Sequence, residues 1–131
     1  MGSEADWSRW PHFTEAEMRC KGTGRCLMVP AFMDRLEALR QAFGRPMPVT
    51  SGYRAPEYNA KVSATGPDGP HTTGRAVDVA VAGADALRLV GLAVTHGFTG
   101  VGVCQKGGAR FIHLDDLPPG GRHPRPALWS Y

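Results

Sequence analysis

Two histidines and one aspartate have the residue types and order of a metal-binding triad. His71 and Asp78 lie in the run HTTGRAVD, and His113 follows much later in RFIHLDD. A catalytic zinc ion usually has three protein ligands, because its fourth coordination position must stay open for water or substrate. If the three side chains meet in the fold, they predict a zinc site and a metal-dependent hydrolase.

Each candidate ligand also has an ordinary structural interpretation. A lone histidine in a loop rich in proline and glycine, such as His71, is usually solvated, and His113 could be a core histidine with satisfied polar groups. Asp78 is harder to explain in this way, because it interrupts the apolar run AVDVAV. A buried carboxylate needs a cation or strong donors to offset its desolvation. Together, the three residues favour the metal site.

Helices are predicted from caps and from the spacing of apolar residues. A capping box predicts a short helix over Glu15–Arg19, and a second helix begins at Pro30 and ends before Gly44. A third helix is expected over Ala84–His96, and a short helical segment within GYRAPEYNAKV. The side chains predicted to face the core are Phe32, Leu36, Leu39 and Phe43 in the second helix and Leu87, Val90 and Val94 in the third.

Strands are predicted between these helices and after them. Their expected ranges are Met47–Ser51, Ala76–Val81, Val101–Cys104 and Phe111–Asp115, the last two forming a hairpin. Ser63–Gly74 is a turn-rich loop, and Trp129 and Tyr131 in the tail are expected to pack against the body. The pattern predicts a single α+β domain over residues 1–131, in which helices flank a small antiparallel sheet.

This layout would suit a metal site. His71 comes from a loop that can adapt its approach, whereas Asp78 and His113 come from strands that hold their positions. Because alternate residues of a strand share a face, Asp115 lies on the same face as His113. Its carboxylate could orient that histidine or face the water of the site.

The composition limits the class of protein. A chain of 131 residues is long enough for one core and too short for two ordinary domains. The net charge of +3 comes from scattered basic residues, so no nucleic-acid-binding stripe is expected. No apolar run approaches the length of a membrane span, and MGSEADWSRW lacks the apolar stretch of a secretory signal. We therefore expect no membrane insertion and synthesis in the cytoplasm.

The three cysteines give no sign of reactive thiol chemistry. Cys20 and Cys26 flank the loop KGTGR and could close a small disulfide, but an odd number of cysteines without an export signal favours reduced thiols. Cys104 in the run GVGVC is predicted to be a small buried strand residue, and nothing around it suggests an activated nucleophile.

Three motifs in a fixed order resemble those of the zinc D-Ala-D-Ala peptidases. They are SGYRAPEYN, HTTGRAVD and GVGVCQKGGARFIHLDD, and the likeness extends from about Phe13 to the tail RPALWSY. These bacterial and phage cell-wall enzymes share a superfamily with hedgehog signalling domains. The chain is most similar to their small phage and prophage branch, which includes murein DD-endopeptidases with an H-x-D strand. The resemblance implies a hedgehog/DD-peptidase-like fold around a shallow groove, with one zinc ion held by His71, Asp78 and His113.

The resemblance also implies a substrate and further site residues. A monomer would hydrolyse D-Ala-containing stem-peptide bonds of peptidoglycan as a DD-carboxypeptidase or endopeptidase, after release through a holin or as part of a virion. Arg54 would stabilise the developing oxyanion or clamp a substrate carboxylate, although it could instead support its turn. Ser51, Tyr53 and Gln105 are candidate substrate contacts, and Tyr53 has the alternative of a core position.

Two positions depart from the wider superfamily. Many relatives carry an acid three residues before the last histidine ligand as the catalytic base, and this chain has Arg110 there. Asp115 is the obvious substitute, and the H-x-D branch shares this pattern. It could pass a proton from water to the leaving amine, or it could only orient a ligand or Arg54. Relatives also often have a serine where this chain has Gly69.

Two other functions stay open. An L-Ala-D-Glu endopeptidase would use the same chemistry on another bond, and the missing acid before His113 argues mildly against it. A non-catalytic zinc-containing module that binds the cell wall is a different class, since hedgehog domains use this fold. The presence of Asp115 and Arg54 beside a complete triad argues against that class.

Overall fold

The computed structural model describes residues 6–131, and a five-stranded sheet forms its centre. The strands are β1 (Val49–Ser51), β2 (Ala76–Val79), β3 (Gly100–Cys104), β4 (Phe111–Asp115) and β5 (Ala127–Ser130). They lie in the order β1-β2-β4-β3-β5, and β5 alone runs parallel to its neighbour, β3. With the helices, this confirms the predicted α+β class.

Four α-helices accompany the sheet in the described part of the chain. They are α1 (Glu15–Met18), α2 (Pro30–Phe43), α3 (Pro56–Val62) and α4 (Gly83–Thr95). Three short 3-10 turns, at Trp7–Arg9, Gly66–Asp68 and Pro70–Thr73, complete the regular structure. Within residues 6–131, no helix has the length and apolar character needed to cross a membrane.

The ends and the inner face of α2 follow from its sequence. Pro30 occupies the first turn, where its missing N–H costs no hydrogen bond, and Gly44 closes the helix in the left-handed conformation with φ 71°. The buried side chains include all those predicted for this helix, namely Phe32, Leu36, Leu39 and Phe43. The prediction for α2 is confirmed.

The prediction for α4 was wrong about which face is buried. Leu87 and Val94 are 78% and 63% exposed, and Val90 is only partly buried against the core. Ala86, Leu89 and Ala93 are buried instead. Since α4 lies against α2 and β4, small alanines permit a close approach, and the larger side chains on the neighbouring stripe point outward. The prediction had assigned the larger apolar side chains of α4 to the buried face.

The two faces of the sheet have different chemistry. Val77 and Val79 of β2 and Ile112 and Leu114 of β4 belong to the hydrophobic core, together with residues of α2 and α4. Because side chains alternate along a strand, the residues between them point to the other face. That face carries the candidate site.

Two strands are shorter than predicted, and one was not predicted. β1 and β2 each lack two residues of the expected ranges, and Pro48, which has no N–H to donate, lies directly before β1. β5 pairs in parallel with β3, whereas only the packing of Trp129 and Tyr131 against the body was expected. The packing itself is confirmed: the Trp129 ring lies 5.1 Å from that of His113, and the Tyr131 ring lies 5.0 Å from that of Phe111.

All three cysteines are free thiols, which agrees with the reduced alternative. The Cys20 sulfur accepts a hydrogen bond from the backbone N–H of Ala55 at 3.3 Å, so it contributes to packing between two loops. Cys104 lies in β3 as predicted, but it is only half-buried, because it is at the end of the strand next to the hairpin loop.

The inward and outward faces of α4 can be tested with one matched pair of leucines. Leu89→Ala should lower the free energy of unfolding by about 2–5 kcal/mol, because it leaves a cavity in the core. Leu87→Ala should change it by less than about 0.5 kcal/mol, since that side chain is exposed. Denaturant unfolding of both variants measures this difference, and equal losses would contradict the assignment of the two faces.

Glu37 of α2 is a buried carboxylate that forms three hydrogen bonds with two residues, His12 and Gln41. His12 donates its backbone N–H at 3.1 Å and places ring Nδ1 2.5 Å from the carboxylate, and Gln41 donates at 3.1 Å. Burial raises the pKa of Glu37, but the hydrogen bonds from His12 and Gln41 outweigh burial and leave the pKa below its usual value. The ionised group therefore stabilises the fold above the unfolded pKa of about 4.3, and this contribution is lost as the pH falls through the folded pKa.

Glu37→Gln should lower the free energy of unfolding at pH 7 by about 1–3 kcal/mol, because His12 loses a charged partner. The loss should shrink at an acidic pH below the lowered folded pKa of Glu37, where the carboxylate itself becomes protonated. Urea unfolding at the two pH values is the measurement, with Glu57→Gln, an exposed glutamate of α3, as the control. A loss that does not depend on pH would contradict this role.

Candidate metal centre

A cleft of about 540 Å³ opens on the face of the sheet that carries the predicted triad. His71, Asp78 and His113 line it together with Arg54. The remaining lining comes from the segment Val62–Thr65, from Pro70 and Phe111, and from the C-terminal residues His123, Arg125, Trp129 and Tyr131.

His71 is held by a turn and by one backbone carbonyl. It lies in the 3-10 turn Pro70–Thr73 and is buried. Its Nδ1 donates to the carbonyl oxygen of Gly52 at 2.8 Å, which leaves Nε2 facing Asp78, 3.3 Å from Oδ1. A side chain at Gly52 would lie 2.7 Å from the carbonyl oxygen of Met18, so glycine permits the close approach of two chain segments here.

Asp78 and His113 face each other across adjacent antiparallel strands. They are directly paired in the register of β2 and β4, and His113 Nδ1 lies 3.0 Å from Asp78 Oδ1. Burial raises the pKa of Asp78, but the hydrogen bonds from His113 and His71 outweigh burial and hold the pKa well below its usual range. Asp78 is therefore an anion at neutral pH.

Asp115 contacts the other nitrogen of His113. The distance from His113 Nε2 to Asp115 Oδ2 is 2.7 Å, and Asp115 is fully buried. Burial lowers the pKa of His113, but its hydrogen bonds with Asp115 and Asp78 raise it above the usual value overall. Burial likewise raises the pKa of Asp115, yet the hydrogen bonds from His113 and Arg125 bring it down to about 2.

The three predicted ligands fit a zinc ion. One donor atom from each of His71, Asp78 and His113 lies within 4.8 Å of the others, and all three residues are buried. Two imidazoles and a carboxylate are common ligands of catalytic zinc. Gly52 and Asp115 bind the outward nitrogens of the two rings, which is how metal-ligating histidines are usually oriented.

Arg54 is held beside this cluster by two side chains. Its Nε donates to Ser51 Oγ and its Nη1 to Asn59 Oδ1, each at 3.1 Å. Its Nη2 lies 3.9 Å from Asp78 Oδ2. Asn59 is fully buried and also donates to Thr65 Oγ1 at 2.8 Å. Asn59 was not predicted as a site residue, although it lies in the motif SGYRAPEYN together with Arg54.

Not all of the predicted site residues reach the cleft. Ser51 does not line the cleft and accepts a hydrogen bond from Arg54. Tyr53 is buried in the core, which was its stated alternative. Gln105 accepts a hydrogen bond from the Gly83 N–H and donates to the Val81 carbonyl, both at 2.9 Å, so it fixes the start of α4 and lies outside the cleft.

The two departures from the wider superfamily also have clear positions. Arg110 is exposed at the end of the hairpin loop and does not line the cleft. A side chain at Gly69 would lie 2.7 Å from Asn59 Nδ2 and would also collide with Thr65. Glycine therefore allows the contact between Asn59 and Thr65.

Four cleft residues of the C-terminal segment were not predicted as site residues. His123, Arg125, Trp129 and Tyr131 all line the cleft, although only the packing of the two aromatic residues was expected. Arg125 donates to Asp115 through Nε at 2.9 Å and through Nη2 at 2.7 Å. No local sequence pattern relates these residues to the triad.

A family model described as Peptidase M15 matches residues 11–115, which include the triad and Arg54. Neither the curated proteins nor the solved structures contain a significant match. The family match covers most of the chain and contains the three motifs up to Asp115. The chain therefore belongs to the Peptidase M15 family, the zinc D-Ala-D-Ala peptidases that its motifs resemble.

Proposed function

We propose that the protein is a zinc-dependent peptidoglycan peptidase that hydrolyses D-Ala-containing stem-peptide bonds, as a DD-carboxypeptidase or DD-endopeptidase. The observation that carries the proposal is the buried cluster of His71, Asp78 and His113 in an open cleft. Family membership supports the metallopeptidase class. The likeness to the small phage and prophage branch supports a role in cell-wall lysis, with release through a holin or attachment to a virion.

The three proposed ligands would hold a metal ion at the wall of the cleft, with its remaining coordination position open to the cleft. The Gly52 carbonyl and the Asp115 carboxylate hold the outward nitrogens, so that His71 Nε2 and His113 Nδ1 remain for the ion, beside the Asp78 carboxylate. A bound zinc ion would supply Lewis-acid activation of the scissile carbonyl and of water. The open side of the cluster faces the cleft, where a stem peptide would bind.

Arg54 is proposed to bind negative charge next to the metal. Its guanidinium is fixed by Ser51 and Asn59 and remains partly exposed to the cleft. A fixed guanidinium suits either the oxyanion that develops on the carbonyl oxygen or the terminal carboxylate of a stem peptide. The second role would favour substrates with a free D-Ala terminus.

The geometry favours an orienting role for Asp115 over a role as general base. Both of its oxygens are bonded by Arg125, one of them also contacts His113, and neither oxygen lines the cleft. A general base must come within hydrogen-bonding reach of the proton that it removes. Asp115 would first have to give up these partners. Among the described residues that line the cleft, Asp78 is the only one with a side-chain carboxylate.

The proposed activity predicts zinc-dependent cleavage of defined muropeptides. Incubation with the zinc-loaded protein should release terminal D-Ala or split cross-linked dimers at D-Ala, and the chelated protein should give neither product. Mass spectrometry distinguishes the two products. Cleavage after L-Ala would instead support an L-Ala-D-Glu endopeptidase, and the absence of any zinc-dependent product would favour a wall-binding module.

Asp115→Asn separates the two roles of Asp115. If Asp115 orients His113, zinc affinity should fall about 10- to 100-fold, and excess zinc should restore much of the cleavage. If Asp115 is the base, the variant should bind zinc normally and show no cleavage at any zinc concentration. Zinc titration and muropeptide turnover on the same preparation decide between them, and a variant normal in both respects would exclude both roles.

A further inference from the structure

The C-terminal segment 125–131 lies outside the residues that the family model matches, yet it completes the cleft. Within β5, Trp129 is paired with Gly102 of β3. This pairing brings the Trp129 ring to 5.1 Å from the ring of His113. The segment is therefore in direct contact with a proposed metal ligand.

Two glycines of β3 leave the space that this segment occupies. A Cβ atom at Gly100 would lie 2.5 Å from Arg125 Nε and would also overlap the Asp115 carboxylate. A Cβ atom at Gly102 would lie 2.5 Å from Trp129 Nε1. The alternating glycines of GVGVC thus remove side chains from the cleft face of β3, and the C-terminal segment fills that face instead.

Arg125 is fixed on two sides. Its guanidinium donates to both oxygens of Asp115, at 2.9 and 2.7 Å, and lies over the Trp129 ring at 5.0 Å from the centroid. The Arg125 side chain is only 5% exposed and Asp115 is fully buried. A bidentate ion pair of this kind fixes the orientation of the carboxylate, whereas a single point charge would not.

We infer that Arg125 is a positioning residue of the metal site and acts on His113 through Asp115. Arg125 fixes the Asp115 carboxylate, which accepts the Nε2 proton of His113 and thereby directs Nδ1 toward Asp78 and His71. A buried ion pair alone seldom adds stability over apolar side chains of similar size. Here the pair has a third member that belongs to the proposed zinc site, on which this inference rests.

The inference predicts that substitutions of Arg125 change metal binding. Arg125→Lys keeps the positive charge beside Asp115 but loses the bidentate contact, so zinc affinity should fall about tenfold or more. Arg125→Ala should lose at least as much. Arg45→Lys, an exposed arginine paired with Asp85, should bind zinc like the unsubstituted protein. Competition with a chromogenic chelator measures the affinities, and circular dichroism shows that each variant is folded.

Cobalt substitution reports the ligand geometry directly. The visible absorption bands of bound Co²⁺ should shift in both Arg125 variants and stay unchanged in Arg45→Lys, because a loss of stability alone does not alter the ligand field. A folded Arg125→Lys with normal zinc affinity and an unchanged Co²⁺ spectrum would overturn the inference. If Arg125→Ala does not fold, Arg125→Lys alone decides.

Gly100→Ala tests the same positioning without removing a charge. Its added methyl group would push on both Asp115 and Arg125, so zinc affinity should fall, whereas Gly91→Ala on α4 meets no neighbour within 4 Å and should have no effect. Unchanged metal binding in folded Gly100→Ala would also contradict the inference. None of these measurements involves hydrolysis, so a protein that binds zinc without cleaving muropeptides would contradict only the proposed function.

Discussion

The pairing of Asp78 with His113 across β2 and β4 is the constraint around which the site is built. An ionised carboxylate in the middle of a buried strand is costly unless cations or strong donors surround it. Two imidazoles meet this need, one from the adjacent strand and one from the turn that precedes β2. Register is therefore part of the chemistry, because a slip of one residue would move Asp78 to the hydrophobic face.

The geometry of the candidate site depends on the proposed ligands and equally on the groups that form hydrogen bonds with them. The backbone carbonyl of Gly52 accepts a hydrogen bond from the His71 ring, and the Asp115 carboxylate contacts the His113 ring. Arg54 is fixed by Ser51 and Asn59 in the same way. Most of these partners are backbone groups or buried side chains, so the proposed ligands and Arg54 are held in position by the fold.

Residues with a strong local signal could be predicted from the sequence. The α2 face was predictable from apolar spacing between a proline and a glycine. The triad was predictable from Asp78, which interrupts an apolar run, together with the three motifs that resemble those of the zinc D-Ala-D-Ala peptidases. The buried face of α4 was not predictable, because side-chain size does not reveal where a neighbouring helix allows only alanine. The β3–β5 pairing and the Arg125–Asp115 contact were missed, since neither leaves a local periodic pattern. Gln105 lay near the predicted hairpin, but its role at the start of α4 depends on a contact across the fold.

The alternation of side chains along β2 and β4 separates two demands on the protein. One set of alternate residues packs against the helices in the core: Val77, Val79, Ile112 and Leu114. The residues between them, Asp78 and His113, belong to the candidate site. Substitutions at alternate positions of the same strand should therefore have different effects, on stability at the core positions and on the site at the positions between them. For protein engineering, the helical side offers a place to raise heat resistance without touching the groups that meet a substrate.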